Sequence, residues 1–388
     1  MRAPAAGAWW NDRRVRAILY QIVFLAALVF GVWLLVDNTI VNLRERGLRS
    51  GFDFLRSRSG IPISESIIDW DPDDTFGRAY LVGILNTLRV GAIGIVLATI
   101  LGTIVGIARL SSNWLVSKLA SVYVESFRNV PLLLQLIFLY ALVGAVLPEQ
   151  LNPIVFGGGF FLSKSGLMFP LLKLETAHYV AAGVFLASIA ATVIYNRWAK
   201  RRQDATGVSP PRLFPSLGIL ILPALLAFLA FGAPAEFDAA TKTRFRFIGG
   251  GSIGPEFLTV LVGLVLYTAS FIAEIVRSGI LAVSYGQTEA AAALGLTRGR
   301  TLRLVLLPQA LRVIIPPMTS QYLNLVKNSS LALVAGYPDV VAIEMMTMNQ
   351  TSRALEAVLL IMAVYLTISL SISLAMNLYN KRIALKER

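Results

Sequence analysis

Eight stretches of this chain are apolar for 18 residues or more: 19–36, 88–108, 130–147, 178–195, 213–232, 257–276, 314–335 and 355–376. A hydrocarbon slab of roughly 30 Å is crossed by about 20 residues of helix. Lipid offers no partner to an open backbone, and no alternation of polar and apolar residues runs through these stretches, so each is expected as a helix. The chain is therefore read as an all-α integral membrane protein with about eight transmembrane helices. Its composition agrees: 56% hydrophobic residues and only 15% charged ones, with a mean hydropathy of +0.68.

The charges are lopsided, 35 Lys and Arg against 22 Asp and Glu, for a net +13. In a soluble domain that excess points to nucleic acid; in so apolar a chain it marks cytoplasmic loops and anionic lipid headgroups, so membrane lipid is expected as a partner and nucleic acid is not. With the N-terminus in the cytoplasm, 21 basic residues fall inside and 12 outside. Six of the outer ones lie in the long loop 37–80, of a kind that crosses regardless of charge, beside the acidic run Asp71, Asp73 and Asp74. Both termini are thus expected in the cytoplasm. Arg2, Arg13, Arg14 and Arg16 precede an apolar run without a small-residue cleavage site, so no cleavable leader is expected.

Chemistry is sparse. The chain has no cysteine and one histidine, His178, expected as an interfacial side chain at a span end. No phosphate-cradling G-x-x-x-x-G-K-[ST], no G-x-S-x-G elbow and no H-E-x-x-H occurs, so neither a catalytic residue, a metal site nor a cofactor held by this chain is expected.

Along the chain, residues 1–79 hold a tail, the first span and an outer loop, in which Leu43 to Phe54 reads as a short amphipathic helix on the membrane surface. Residues 80–147 and 257–388 form a core. Between them, 148–256 reads as an inserted helical hairpin, bracketed by glycine triplets at 157–159 and 249–251 and joined by a basic link from Arg197 to Arg212.

One cytoplasmic element, 286–310, is neither span nor simple loop. Glu289 to Leu294 is strong helix-forming sequence with its acid near the helix start. Gly295 is a natural C-terminal cap. Arg298, Arg300 and Arg303 then interleave with Leu302, Leu304 and Leu306 in a second amphipathic piece that runs into Pro308. An amphipathic helix tethered at both ends suits a groove in a partner protein; a basic helix resting on headgroups is the equal alternative on these residues alone.

Here the spacing resembles a known signature. Glu289-Ala290-Ala291, Gly295, then Val305, Leu307 and Pro308 match E-A-A, three residues, G, nine residues, I-x-L-P of ABC-importer permease subunits, with valine for isoleucine the one departure. Glu125, Arg128, Pro131, Leu132 and Leu133 resemble the E-x-x-R-x-x-P-L-L of polar amino-acid permeases. Ala273-Glu274-Ile275 with Arg277, Gly279 and Ile280 resembles their A-E-I-x-R-x-G-I, and Lys327-Asn328-Ser329-Ser330-Leu331 their K-N-[ST]-S-L. The matches cover about 80–147 and 255–380, roughly half of the chain. The enlarged subunit is similar to the Q-type permease of general L-amino-acid importers of Gram-negative bacteria.

The resemblance implies a MetI-like, five-helix type I importer core, with the first span and the hairpin added, in the bacterial inner membrane. It implies a loop that seats on a cytoplasmic ATPase through Glu289, Ala290, Ala291, Gly295, Arg298, Arg300, Leu307 and Pro308. The implied partners are two ATPase copies that use ATP and magnesium, a second permease subunit and a periplasmic amino-acid-binding protein. The large insert favours a second permease that is a different chain. The rivals are an ion-coupled secondary transporter, for which the chain lacks paired broken helices in related halves, and a non-transporting scaffold subunit.

The span at 314–335 is the most polar. At about 100° per residue, Ser320, Gln321, Asn324, Lys327 and Asn328 fall on one arc of roughly 120°. Polar groups at membrane depth face a bundle interior or an aqueous cavity, so Gln321, Asn324, Lys327, Asn328 and Ser329 are candidates for a substrate pathway. Lys327 would attract a carboxylate, or else pair with an acid or snorkel, and Glu274 is the candidate counter-charge. Glu274 with Arg277, and Glu125 with Arg128, are also spaced for pairing along a helix. Pro316-Pro317 are expected to bend or break this span. Met345, Met346 and Met348 read as packing or as surface for a delivery protein.

Overall fold

A computed structural model describes residues 13–45, 51–208, 210–243 and 247–383. Among these, seven helices are long and apolar enough to cross a membrane, and one bent pair meets the same length and composition when taken together. The chain divides into two compact units, one of residues 1–139 and 259–388 and the other of residues 140–258.

In the first unit, α1 (Arg13–Glu45) presents an almost wholly exposed apolar surface. Its last residues take up the start of the expected surface helix at Leu43 to Phe54. Residues 46–50 of that expectation lie outside the described residues, and Asp53–Arg56 form a 3₁₀ turn that buries Phe54 in a cluster with Ile61, Phe76, Val340 and Ile343. α2 (Phe76–Ala108) begins well before the expected position 88. Thr75 caps it, its hydroxyl accepting from the Arg78 N–H at 3.3 Å. Hydropathy missed its first turns because Arg78, Asn86 and Thr87 depress the average while finding their partners in the fold.

α2 is the seam of this unit. A Cβ on Gly83 would lie 2.9 Å from the Cα of Val340, and one on Gly102 would lie 2.6 Å from Ile272 Cβ. Small residues let helices approach where burial against lipid offers no driving force. Through that seam Ala98 packs with Ala269, Ile272 and Val276 of α7 (Pro255–Leu281) and with Ala310, Ile314, Met318 and Leu325 of α10 (Leu307–Asn328).

The expected straight span at 130–147 is instead a helix pair, α3 (Trp114–Asn129) and α4 (Leu132–Val146), bent by 106°. Pro131 explains the break, since it drives Val130 into extended backbone (φ −103°, ψ 131°). Gln135 then satisfies the freed carbonyls of Phe127 and Val130 through its Nε2, at 2.9 and 2.8 Å. The opposite holds at Pro316-Pro317, where α10 continues as one helix through the expected break. The regular helix ends later, at a 3₁₀ stretch from Ser329 to Ala335 closed by Gly336 at φ +78°. The hydroxyls of Ser329 and Ser330 bond back to the carbonyls of Val326 and Lys327 there, at 2.7 and 2.8 Å. α11 (Val340–Thr351) and α12 (Ala354–Ile383) complete the unit.

The second unit departs from a simple hairpin. α5 (Thr176–Thr206) and α6 (Leu213–Ala230) pair as expected, but short strands flank them. β1 (Ile154–Gly157), β2 (Phe160–Ser163) and β3 (Gly166–Phe169) join β4 (Leu171–Leu172) before the hairpin. β5 (Phe237–Asp238), β6 (Thr241–Lys242), β7 (Phe247–Ile248) and β8 (Gly251–Ile253) follow it. The order β1-β2-β3-β8 is antiparallel throughout, with β4-β5 and β6-β7 as separate pairs. The glycine triplets are turns rather than mere brackets: Gly157, Gly158 and Gly159 have φ of +82°, +59° and +84°, conformations that side chains resist.

Candidate functional site

α7 leads through a four-residue turn into α8 (Gly286–Ala293). Glu289 lies in its first turn, and Ala291 is its buried residue. The helix ends in a two-bond cap: the Gly295 N–H donates to Ala292 O at 2.9 Å and the Leu296 N–H to Ala291 O at 3.1 Å, with Gly295 at φ +72°. Thr297 opens α9 (Arg298–Thr301), which runs through a five-residue π-helical turn, Leu302–Leu306, into α10. The expected second piece therefore does not stop at Pro308. Pro308 sits where the π-helical turn passes into α10. Gln309 Nε2 donates to Gln287 Oε1 at 3.0 Å and ties α8 to α10. Outward, the element exposes Tyr285, Leu294, Leu302, Leu304 and Leu307 beside Arg298 and Arg300, with Leu294 exposed to 81%. Large apolar side chains so displayed off a capped helix form a surface suited to burial against a partner.

α10 buries Ile314, Ile315, Met318, Leu325 and Val326 on one side. On the other side Asn324 and Lys327 are exposed, and Gln321 and Asn328 are half-buried. Among the described residues no carboxylate stands within ion-pair distance of Lys327. Ser329 does not share that face, since its side chain is buried and its hydroxyl is turned onto Val326 O.

Glu274 is held in an arginine cluster. It pairs with Arg109 at the end of α2, with Arg128 of α3 at 3.8 Å and with Arg277 at 3.5 Å. Arg128 also stacks over Phe271 at 5.1 Å, and Tyr123 OH donates to Leu266 O at 2.6 Å. The pairing with Arg277 was visible in the spacing of three; the reach to Arg109, 165 positions away, was not.

At the opposite end of α10 a polar clamp joins three segments. Asn86 Nδ2 donates to Glu65 O and to Pro338 O, both at 2.9 Å. Tyr337 OH donates to Asn86 O at 3.2 Å, and the Val340 N–H to Thr87 Oγ1 at 3.1 Å. Arg89 pairs with Glu65 at 2.6 Å. Asp339 caps α11 by accepting from the Ala342 N–H at 2.9 Å, while its Oδ2 is buried without a partner. Burial pushes its carboxyl up to about 7, against which its backbone hydrogen bonds pull weakly; burial raises Glu344 as well. Nothing in the hydropathy pattern announces this clamp.

Residues 94–385 match the family described as "Binding-protein-dependent transport system inner membrane component". The chain is 46% identical to the general L-amino acid transport system permease protein AapQ of Rhizobium johnstonii, over 99% of this chain and 98% of that one. It is 47% identical to the putative amino-acid ABC transporter permease protein YhdX of Escherichia coli, over 96% and 95%. It is 43% identical to the glutamate/glutamine/aspartate/asparagine transport system permease protein BztB of Rhodobacter capsulatus, over 97% and 96%.

Proposed function

Because the chain belongs to the family of binding-protein-dependent transport system inner membrane components, we propose that it is the transmembrane permease subunit of an ABC importer that moves L-amino acids into the cytoplasm. Two copies of a cytoplasmic ATPase hydrolyse ATP, a periplasmic receptor delivers the amino acid, and a second, different permease subunit completes the pathway. The protein lies in the bacterial inner membrane with both termini in the cytoplasm, as the excess of basic residues on that side supports.

The observation that carries this reading is the continuity of the helical path from Arg298 to Asn328 behind the capped helix α8. Burial of Tyr285, Leu294 and Leu302 in a cleft of the ATPase grips α8, with the exposed Arg298 and Arg300 beside them. Closure of the ATPases then moves α8 as a unit, because its own end is hydrogen-bonded and Gln287 ties it to Gln309. That motion passes directly into α10, whose Gln321, Asn324, Lys327 and Asn328 line the route. Lys327 supplies the positive charge a substrate carboxylate meets. Glu274 acts beside this route by binding the inner ends of α2, α3 and α7 together through Arg109, Arg128 and Arg277.

Uptake of a radiolabelled mixture of L-amino acids into proteoliposomes tests the proposal. Uptake is expected only with the ATPase co-reconstituted, ATP on the ATPase side and receptor on the other. Uptake driven by a sodium or proton gradient without ATPase would establish the secondary-transporter alternative instead.

A further inference from the structure

The two helices of the inserted hairpin differ in length, and the difference is basic. α6 has 18 residues, about 27 Å, close to the thickness of the hydrocarbon core, whereas α5 has 31 residues, about 46 Å. The hairpin end of α5 carries Arg197, Lys200, Arg201 and Arg202, and Arg212 stands just before α6. Two of these five are occupied. Arg202 lies over the Trp198 ring at 5.3 Å, and Arg212 donates to the side chain of Gln203. Arg197, Lys200 and Arg201 are exposed and, among the described residues, make no ion pair, even with Asp204 one turn on.

Their direction follows from the packing. Tyr195 bonds to Pro211 O, Asn196 bonds to Ser216, and Ala199 is fully buried, so this side of α5 faces α6. At about 100° per residue, Arg197 and Arg201 lie roughly 160° either side of Ala199, on the outer face. The same face, further into the membrane, is apolar: Leu186, Val193 and Ile194 are exposed there. One stripe therefore changes from hydrocarbon-compatible to cationic within about 5 Å of helix rise. A headgroup layer is roughly 5–7 Å deep on each side of the core. Arg197 falls inside that layer, and Lys200 and Arg201 reach back into it on their flexible stems. Trp198, half exposed at the same level, is the residue type that settles at such a boundary.

We infer that the outer face of α5 is a binding site for an anionic phospholipid, its phosphate held by Arg197, Lys200 and Arg201 and its acyl chain laid along Leu186, Val193 and Ile194. A protein partner is less well matched, because the apolar half of the stripe sits at hydrocarbon depth, where lipid already covers it.

The test is native mass spectrometry of the intact importer complex, exchanged into mixed micelles with equal phosphatidylglycerol and phosphatidylethanolamine. The wild type is expected to retain phosphatidylglycerol selectively. The triple variant R197Q/K200Q/R201Q should lose that preference by roughly 10- to 100-fold, whereas R202Q/R212Q, which removes the two occupied cations, should keep it. Should the triple variant fail to assemble, the wild type is measured at rising ionic strength, and the preference must fall steeply. Undiminished phosphatidylglycerol retention in the triple variant, or a preference indifferent to salt, overturns the site. So does loss of the ATPase subunit with lipid retention unchanged, which would make the same cations a protein contact. Failure of ATP-driven uptake would leave these lipid measurements intact, so the two readings fail separately.

Discussion

The two units of this chain solve the problem of a helix in lipid in different ways. In the first, the buried share of the apolar stretch reaches 61% in α7 and 33% in α2, against none in α1 and 6% in α12, and α2 offers glycine and alanine to its neighbours. In the second, the corresponding share is 11% for α5 and none for α6, and the two helices pair with each other. The contrast extends to polar groups. The first unit encloses Asn86, Asp339 and the Glu65–Arg89 pair, whereas the second leaves its cations outside. A tightly packed unit with buried polar contacts between its segments transmits displacement; a two-helix unit open to lipid does not. The proposed lever belongs to the first unit and the proposed lipid-binding face to the second.

The largest test of that contrast is steric. Gly102→Val would place a Cβ 2.6 Å from that of Ile272 and 2.9 Å from Ala269 O. It should cost about 3 kcal/mol or abolish the fold, seen as loss of a monodisperse peak and of the melting transition in detergent. Gly183→Val on α5 has nothing within 4 Å of the new Cβ and should shift Tm by no more than a degree or two. Equal penalties at the two sites would contradict this difference in packing.

Asn86→Ala comes next. It strands the carbonyls of Glu65 and Pro338 in a buried site and should lower stability by about 2 kcal/mol. Its counterpart in the hairpin, Ser216→Ala, removes one 3.2 Å contact to Asn196 and should cost under about 0.5 kcal/mol.

Buried Asp339 makes the stability of the first unit depend on pH. Its folded-state value is raised to about 7 from 3.8, so the folded protein holds this proton where the unfolded chain has lost it. Its stabilising contribution is complete below pH 3.8 and is lost as pH rises through about 7. Asp339→Asn keeps the cap of α11 without the charge. It should therefore melt higher than the wild type at pH 8, by an amount worth on the order of 1 kcal/mol, with the difference shrinking toward pH 4. A difference that grows toward low pH would contradict this placement of the carboxyl.

Much of this was legible in residues. Apolar length announces the spans, and the Glu289 to Pro308 spacing locates the element between α7 and α10. Gly295 was visible as a cap because only a residue free to take positive φ ends a helix that way. What hid from the sequence was long-range or compensatory. The early start of α2 was masked by polar residues that find partners in the fold, and the bend at Pro131 is stabilised by Gln135, whose role depends on carbonyls the proline frees. Pro316-Pro317 misled in the other direction, because packing of Ile314, Ile315 and Met318 holds the helix together across them. The strands around the hairpin were signalled by glycine triplets between short apolar runs, a pattern easily overshadowed by the spans beside it. Of the residues assigned to the substrate route, four share the open face of α10, while Ser329 turns inward and Glu274 is engaged by arginines.

The absence of cysteine allows a direct test of the lever. In the assembled complex, Leu294→Cys places one thiol at the exposed tip of α8, and Val208→Cys places one beyond the end of α5 as a control. A short bifunctional reagent should join residue 294 to the ATPase subunit, more efficiently with ATP bound, and should leave residue 208 unjoined. If residue 294 stays free while ATP-driven uptake proceeds at full rate, α8 is not where the motor grips, and the mechanism described for this chain is wrong.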